Sequence, residues 1–266
     1  MSFFYSIRTN DEVGNSSQPS NVTELTTPFQ SVKYVSQEPG SCLGQSIGSG
    51  NFNGDREDDG EFLNDIAIGD PCLGRVYIFF GRNDLADNGS PIVDVSTADV
   101  TIIGNASDMF GASVAGIEHF EGNPRTEEIV IGAPGFDNDR GKVFVIFGDR
   151  DFPSIVDLSD PEVDRIEVVG ENPGDNFGFT VADGDNVTNG SGLFLVGAPF
   201  YNADTGRGYV FRGNALPRNE VVPATDAGAI FTGQAPGGLF GFVIENVGRM
   251  RRNGNDEIGA GAPGLS

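Results

Sequence analysis

The stretch 110–148 decides the fold of this chain, and it reads FGASVAGIEHFEGNPRTEEIVIGAPGFDNDRGKVFVIFG. It begins with a Phe-Gly pair, continues to a Gly-Ala-Pro triplet and ends with an apolar run bounded by glycines. These features recur with a period of roughly 65 residues, which is typical of an array of repeated β units. Copies of the pair are Leu43-Gly44, Phe177-Gly178 and Phe240-Gly241; copies of the triplet are Gly69-Asp70-Pro71, Gly197-Ala198-Pro199 and Gly261-Ala262-Pro263; copies of the run are residues 74–81 and 206–213.

Each unit is predicted to contain four strands, because its apolar runs are short and rich in β-branched and aromatic residues. In the second unit these strands are residues 111–115, 128–131, 143–147 and 165–169. Four antiparallel strands form a β-propeller blade, whose apolar faces are buried by neighbouring blades. The small residues of the triplet favour an inner strand, where backbones approach closely. The sequence therefore predicts an all-β fold.

These features together resemble the FG-GAP repeat, which forms the β-propeller of integrin α subunits and of many bacterial surface proteins. The resemblance covers residues 40–264 in four copies. It implies a β-propeller of about four blades, each with four antiparallel strands. The first copy departs from the pattern, since Leu43 replaces Phe and Asp70 replaces Ala.

The whole chain, residues 1–266, is expected to form a single propeller domain. Its blades are predicted at about residues 40–103, 104–170, 171–233 and 234–266, the last completed by residues 1–39. Residues 3–7 resemble residues 76–80 of the glycine-bounded apolar run, and residues 31–35 occupy the position of a fourth strand. The pattern of Val22-Thr-Glu-Leu25 is similar to that of residues 92–95 and 155–158. N-terminal strands that close the ring would remove its exposed edges. The alternatives are a segment of a longer ring and a dimer that contributes four blades from each chain.

The two cysteines flank one predicted hairpin. Cys42 comes just before the first strand of the first unit, and Cys72 follows the end of the second strand at Pro71. If these strands pair antiparallel, the two thiols come within reach of a disulfide, which would favour an oxidising compartment. The alternative is two unrelated buried thiols.

The FG-GAP resemblance also implies a calcium site in the hairpin between the first two strands of a blade. Residues 51–65 of the first unit carry the pattern of this site. They supply carboxylates, amides and main-chain carbonyls, which are the oxygen ligands that Ca²⁺ prefers. Arg56 stands where the family has Gly, and extra residues leave Asp59 and Asp65 as alternative last ligands. The predicted ligands are Asn51, Asn53, Asp55, the carbonyl of Glu57, and Asp59 or Asp65.

A solvated acidic loop is the alternative to this site. The corresponding loops of the second and third units lack most of the ligand pattern. In the fourth unit Arg249 and Arg251 occupy the ligand positions before Glu257, and a guanidinium paired with that carboxylate could take the place of a cation.

The charge of the chain disfavours nucleic acid as a partner. Asp and Glu number 39 against 16 Lys and Arg, a net charge of -23, which disfavours binding to a phosphate backbone. No apolar run is long enough for a transmembrane helix, and the first residues do not form a clear signal peptide. The FG-GAP resemblance nevertheless implies a place outside the cell or at its surface.

Catalytic motifs are absent from the sequence. His119 is the only histidine, and there is no Gly-x-Ser-x-Gly elbow and no phosphate-binding glycine loop. We therefore expect a non-catalytic, calcium-stabilised recognition, adhesion or structural module with a protein or glycan ligand. The alternatives are a carbohydrate-active enzyme with paired carboxylates in the propeller funnel, and an assembly subunit or homo-oligomer whose open blade is completed by another chain.

Overall fold

Four strands of each of the first three repeats form one sheet in the order of the chain. The computed structural model describes residues 32–56, 62–82, 92–118, 126–184, 192–248, 250 and 257–264. Strand β1 (Lys33–Val35) precedes the first repeat, which forms β2 (Ser46–Gly50), β3 (Asp65–Asp70), β4 (Arg75–Phe79), β5 (Ile92–Asp94) and β6 (Val100–Ile103). The second repeat forms β7 (Ser113–Ile117), β8 (Glu128–Ala133), β9 (Lys142–Ile146), β10 (Ile155–Asp157) and β11 (Arg165–Val169).

The third and fourth repeats continue this order. The third repeat forms β12 (Thr180–Asp183), β13 (Leu193–Ala198), β14 (Arg207–Arg212), β15 (Val221–Pro223) and β16 (Ala229–Thr232). The described part of the fourth repeat forms β17 (Ile244–Asn246) and β18 (Ile258–Ala260). Two short turns, Phe136–Asp139 and Tyr201–Asp204, follow the triplets of the second and third repeats, and the central residues of both have positive φ.

The four-stranded antiparallel unit predicted from the repeat is confirmed. The second sheet has the order β7-β8-β9-β11, and its strands lie within two residues of the predicted bounds. The first and third sheets follow the same order, and β17 pairs antiparallel with β18. The fold is therefore all-β, whereas the number of blades and the closure of a ring stay predictions.

A fifth strand joins two of these sheets, and the sequence did not predict it. Strand β10 lies parallel to β6, and β15 lies parallel to β11. Strand β5 pairs in the same way with β1. In each of these pairs, a three-residue strand leaves its own repeat and covers the outer strand of the preceding unit.

Successive repeats meet through the two motifs that define them. The first strands contact one another in the order β2, β7, β12 and β17. Beside this line the triplet glycine lies against the next Phe-Gly glycine, so closely that a Cβ on Gly132 would lie 2.1 Å from the carbonyl oxygen of Gly178. The Ser113 hydroxyl donates to the same oxygen at 2.8 Å. The close backbone approach expected of the triplet is thus confirmed, and its cause is the neighbouring repeat.

The apolar core lies between sheets rather than within one of them. Ile102 of the first sheet packs with Phe110 and Ile131 of the second, and Val168 of the second sheet packs with Phe177 and Val196 of the third. Phe110 and Phe177, from the second and third Phe-Gly pairs, thus pack against the outer strand of the preceding repeat. Because each sheet is covered by its neighbour, the repeats depend on one another for burial.

The predicted disulfide is confirmed. Cys42 and Cys72 are bonded, with their Cα atoms 5.4 Å apart. Asp70, which replaces the triplet Ala, accepts a hydrogen bond from the Cys42 amide at 2.8 Å. Of the two predicted closing segments, β1 forms a strand and pairs with β5, while residues 3–7 lie outside the described residues.

Candidate functional site

The acidic hairpin of the first repeat is organised around Asp65. This residue is 2% exposed, and its Oδ2 accepts the amide of Phe52 at 2.7 Å and that of Asn53 at 3.3 Å. Its Oδ1 accepts the amide of Gly81 at 2.9 Å. The Asp65 carboxylate therefore joins the start of the hairpin loop to the end of the glycine-bounded run 74–81.

The electrostatic environment of Asp65 opposes its ionisation. Burial raises its pKa to about 6, against the lowering effect of the three amide hydrogen bonds, and the nearby charge of Asp55 raises the pKa further. A bound cation would reverse this balance, because it favours the ionised form of both carboxylates.

Three of the other predicted ligands form a tight turn in front of Asp65. The Asn51 Oδ1 accepts the Gly54 amide at 2.7 Å, and the Asn53 Oδ1 accepts the Asp55 amide at 2.9 Å. The Asn53 side-chain amide donates to Asp55 Oδ2 at 2.8 Å. The remaining oxygen, Asp55 Oδ1, is buried and has no hydrogen-bond partner among the residues that the structure describes.

The described half of the predicted site therefore fits a hard cation. It places one carboxylate and two side-chain amide oxygens in a turn beside the carboxylate of Asp65. Carboxylate and amide oxygens are the ligands that Ca²⁺ prefers, and each amide oxygen retains a lone pair beyond the one bond it accepts. The predicted Glu57 and Asp59 lie outside the described residues. Within the ranges that the structure describes, no group of three or more His, Cys, Asp or Glu side chains could hold a metal by itself.

Arg56, which replaces the family's glycine, closes the base of this loop. It forms an antiparallel bridge with Phe62, and its guanidinium lies 4.0 Å from the centre of the Phe62 ring. The substitution therefore holds together the two ends of the segment 57–61.

The same strand position differs in the other repeats. Glu128 replaces Asp65 in the second repeat and Leu193 replaces it in the third, where it is buried in an apolar cluster. In the fourth repeat the Glu257 carboxylate accepts the Met250 amide at 2.6 Å. His119, Arg249 and Arg251 lie outside the described residues.

A second candidate site is an open pocket of about 370 Å³ beside the first strands. Residues of all four repeats line it, and most of them are apolar or hydroxyl-bearing. Glu245 is the one carboxylate in its described lining, and burial raises its pKa. A glycosidase needs two carboxyl groups, so the described lining of this cavity does not supply the pair. Other lining residues are Ser46, Ile47, Val114, Val181 and Val243.

The fold and the acidic hairpin of the first repeat define an all-β protein of tandem four-stranded repeats. The chain is 32% identical to mouse integrin alpha-IIb over 161 residues, a match that covers 58% of this chain and 14% of the relative. It is 31% identical to human integrin alpha-IIb over 162 residues, with the same coverage of both chains. No family model matches the chain. These matches confirm the resemblance to integrin-alpha-type FG-GAP repeats.

The match concerns a small part of the relatives. The chain spans about one seventh of their length, as the 14% coverage shows. In the described ranges of this chain, no helix is both long and apolar enough to cross a membrane.

Proposed function

We propose that this chain is a non-catalytic recognition module that binds a protein ligand outside the cell or at its surface. The similarity to integrin alpha-IIb over more than half of the chain supports this function. The disulfide between Cys42 and Cys72 suits an oxidising compartment. The acidic surface, with a net charge of -23, favours basic or calcium-bridged partners.

The first-repeat hairpin is proposed to bind Ca²⁺ as a stabilising ion. The observation that carries this proposal is the buried Oδ1 of Asp55, for which the described part of the chain supplies no hydrogen-bond partner. Asn51, Asn53, Asp55 and Asp65 would hold the ion, together with the Glu57 carbonyl and Asp59. When bound, the ion would neutralise the carboxylates of Asp55 and Asp65 and stabilise the hairpin.

The calcium site is tested by thermal unfolding of the full chain in EGTA and in a series of Ca²⁺ concentrations. Calcium should raise the Tm, and the stabilisation should grow with the logarithm of free Ca²⁺ above the dissociation constant. The variant Asp55→Asn should lose this response. The variant Glu162→Gln removes the same charge from an exposed position of the second repeat and should keep it.

Two results would contradict the calcium proposal. One is an identical Tm in EGTA and in millimolar Ca²⁺. The other is an equal calcium response of Asp55→Asn and wild type.

The recognition function is tested by biolayer interferometry against purified extracellular-matrix proteins, with and without EGTA. The same preparation is assayed for release of reducing ends from a panel of polysaccharides. Saturable protein binding without polysaccharide hydrolysis is expected. Hydrolysis without protein binding would overturn the proposal in favour of the enzymatic alternative.

A further inference from the structure

A cation begins the third strand in each of the first three repeats. These cations are Arg75, Lys142 and Arg207, the first residues of β4, β9 and β14. In the first and third repeats the cation is bonded to a glutamate of the entry loop, the segment between the preceding outer strand and the Phe-Gly position. Arg75 donates to Glu38, and Arg207 donates to Glu171, both at 2.6 Å. Each ion pair therefore bridges the space between a repeat and the unit before it.

The second repeat has a different entry loop. Residues 104–108 read Gly-Asn-Ala-Ser-Asp and contain no glutamate. Asn105 takes the position of Glu171, because each lies two residues after an outer-strand residue that pairs with the fifth strand in the same register. Lys142 donates instead to Glu167 of its own sheet, at 2.7 Å. An open pocket of about 410 Å³ lies beside this ion pair, between the first and second repeats.

One side of this pocket is apolar. The rings of Phe110 and Phe144 meet edge to face with their centroids 5.4 Å apart, and Ala133 and Leu158 continue the surface. Phe110 is 1% exposed, whereas Phe144 is half-buried and presents more of its ring. A pocket of this size with an aromatic wall suits a small organic ligand.

The other side of the pocket carries charges of both signs. Lys142 and Glu167 are largely buried, with 12% and 14% of their side chains exposed. The second oxygen of Glu167 accepts the Arg165 Nε at 2.7 Å. Asp108 and Asp157 line the pocket as well, so its described lining holds three carboxylates and one ammonium group.

This mixture of charges selects the class of ligand. The three carboxylates disfavour an anion, and the Lys142 ammonium disfavours a cation. A purely apolar ligand would take water from these charged groups without replacing its hydrogen bonds. A neutral ligand with several hydroxyl groups meets all three conditions, because each hydroxyl both donates and accepts.

We propose that the pocket between the first and second repeats binds a neutral sugar ring, as a free monosaccharide or as the terminal residue of a glycan. Glu167 and Asp157 accept hydrogen bonds from its hydroxyl groups, Lys142 donates to them, and the Phe144 ring contacts its C–H face. The described lining of the pocket shares no residue with the acidic hairpin 51–65. The site therefore depends neither on Ca²⁺ nor on the proposed binding of a protein ligand.

Saturation-transfer difference NMR of the full chain tests the class of ligand. The probes are neutral methyl pyranosides of glucose, galactose, mannose and N-acetylglucosamine, with sodium glucuronate and glucosamine hydrochloride as charged counterparts. At least one neutral probe should bind saturably and equally in EGTA and in Ca²⁺, and the charged probes should bind at least about tenfold more weakly. No saturable binding of a neutral probe, or a preference for a charged one, would overturn the proposal.

A glycan array then separates the two sources of the sugar. Binding to immobilised glycans that end in the preferred sugar identifies the site as one for a glycan terminus. Binding of the methyl pyranoside without binding to the array identifies a site for the free monosaccharide. Both results support a sugar site at this junction.

The variant Asn105→Glu supplies the carboxylate that bridges the other two junctions. It should pair with Lys142 as Glu171 pairs with Arg207, occupy the pocket and weaken sugar binding at least about tenfold in folded protein. Ser107→Glu is the matched control, because it adds the same charge to the same loop from an exposed residue outside the described lining. The control should bind like wild type. Unchanged affinity of Asn105→Glu would contradict the proposal.

A second pair of variants blocks the mouth of the pocket without touching its charges. Ser159→Trp places a large ring at an exposed residue of the lining. Thr225→Trp is its control at the equivalent exposed position after β15, beside the next junction. Binding should be lost in the first variant and kept in the second. Equal binding by the two folded variants, whether kept or lost, would overturn the proposal.

Discussion

The junction between the second and third repeats and the end of the fourth repeat carry the same motif in different surroundings. At the junction, a Cβ on Gly132 would lie 2.1 Å from the Gly178 oxygen, which also accepts the Ser113 hydroxyl. At the fourth repeat, a Cβ on Gly261 would meet no atom of the described residues closer than 3.8 Å. Val243 replaces the serine there and is 55% exposed. The triplet glycine is therefore required by the repeat that packs on it and not by its own strand.

The largest expected effect is that of Gly132→Ala. The added methyl would meet a backbone oxygen that cannot rotate away, so we expect a loss of about 4 kcal/mol or more in the free energy of unfolding. Gly261→Ala is the matched control and should change it by less than about 0.5 kcal/mol. The measurement is urea unfolding of both variants beside wild type.

Equal losses in the two variants would break this comparison. They would show that the triplet glycine serves its own strand, or that another backbone segment covers Gly261 as Gly178 covers Gly132.

The first repeat differs from the others in that a disulfide links Cys42 to Cys72. The disulfide joins cysteines separated by 30 residues. Replacing both with serine should lower the free energy of unfolding by about 3.5 kcal/mol, because the unfolded chain regains the freedom of a loop of this length.

The control for this prediction is wild type in a reducing agent, which should unfold at the same urea concentration as the serine variant. A serine variant as stable as oxidised wild type would show that the hairpin holds the first repeat without the covalent bond.

The smallest predicted effect is the pH dependence that Asp65 gives the first repeat, whereas Leu193 at the same position of the third repeat does not titrate. In metal-free protein the folded-state pKa of Asp65 is raised to about 6 from the usual 3.8. The folded state thus binds the proton more tightly than the unfolded state does, so protonation stabilises the fold. The contribution of Asp65 to stability should increase as the pH falls from 7 to 4, by at most about 3 kcal/mol.

The difference between wild type and Asp65→Asn isolates this contribution, because the other carboxyl groups are common to both. Unfolding in EGTA at several pH values should show the gap widening in favour of wild type below pH 6. A gap that narrows over the same range would contradict the raised pKa.

Most of the framework was predictable because its signals are local and periodic. The glycine-bounded ladder of residues 141–148 predicted the third strand of its sheet, and the position of Cys42 and Cys72 about one hairpin predicted their bond. Both inferences need only the geometry of antiparallel neighbours.

The features that the sequence did not predict depend on contacts between distant parts of the chain. A three-residue strand such as β10 has no periodicity of its own, and its partner β6 lies in another repeat. The role of Asp65 was predicted as that of an alternative metal ligand. Its bond to the Gly81 amide was not foreseen, since that glycine ends a different strand.

The central claim is that consecutive sheets are joined by the triplet glycine and the next Phe-Gly carbonyl. An experimental structure of the full chain tests it through the distance from Ser113 Oγ to the Gly178 oxygen, together with the equivalent pair of Ser46 and Gly111. We expect hydrogen bonds close to 2.8 and 2.7 Å with the bare Cα of Gly132 beneath the Gly178 carbonyl. Sheets that pack through other faces, with these pairs beyond hydrogen-bonding distance, would contradict the claim.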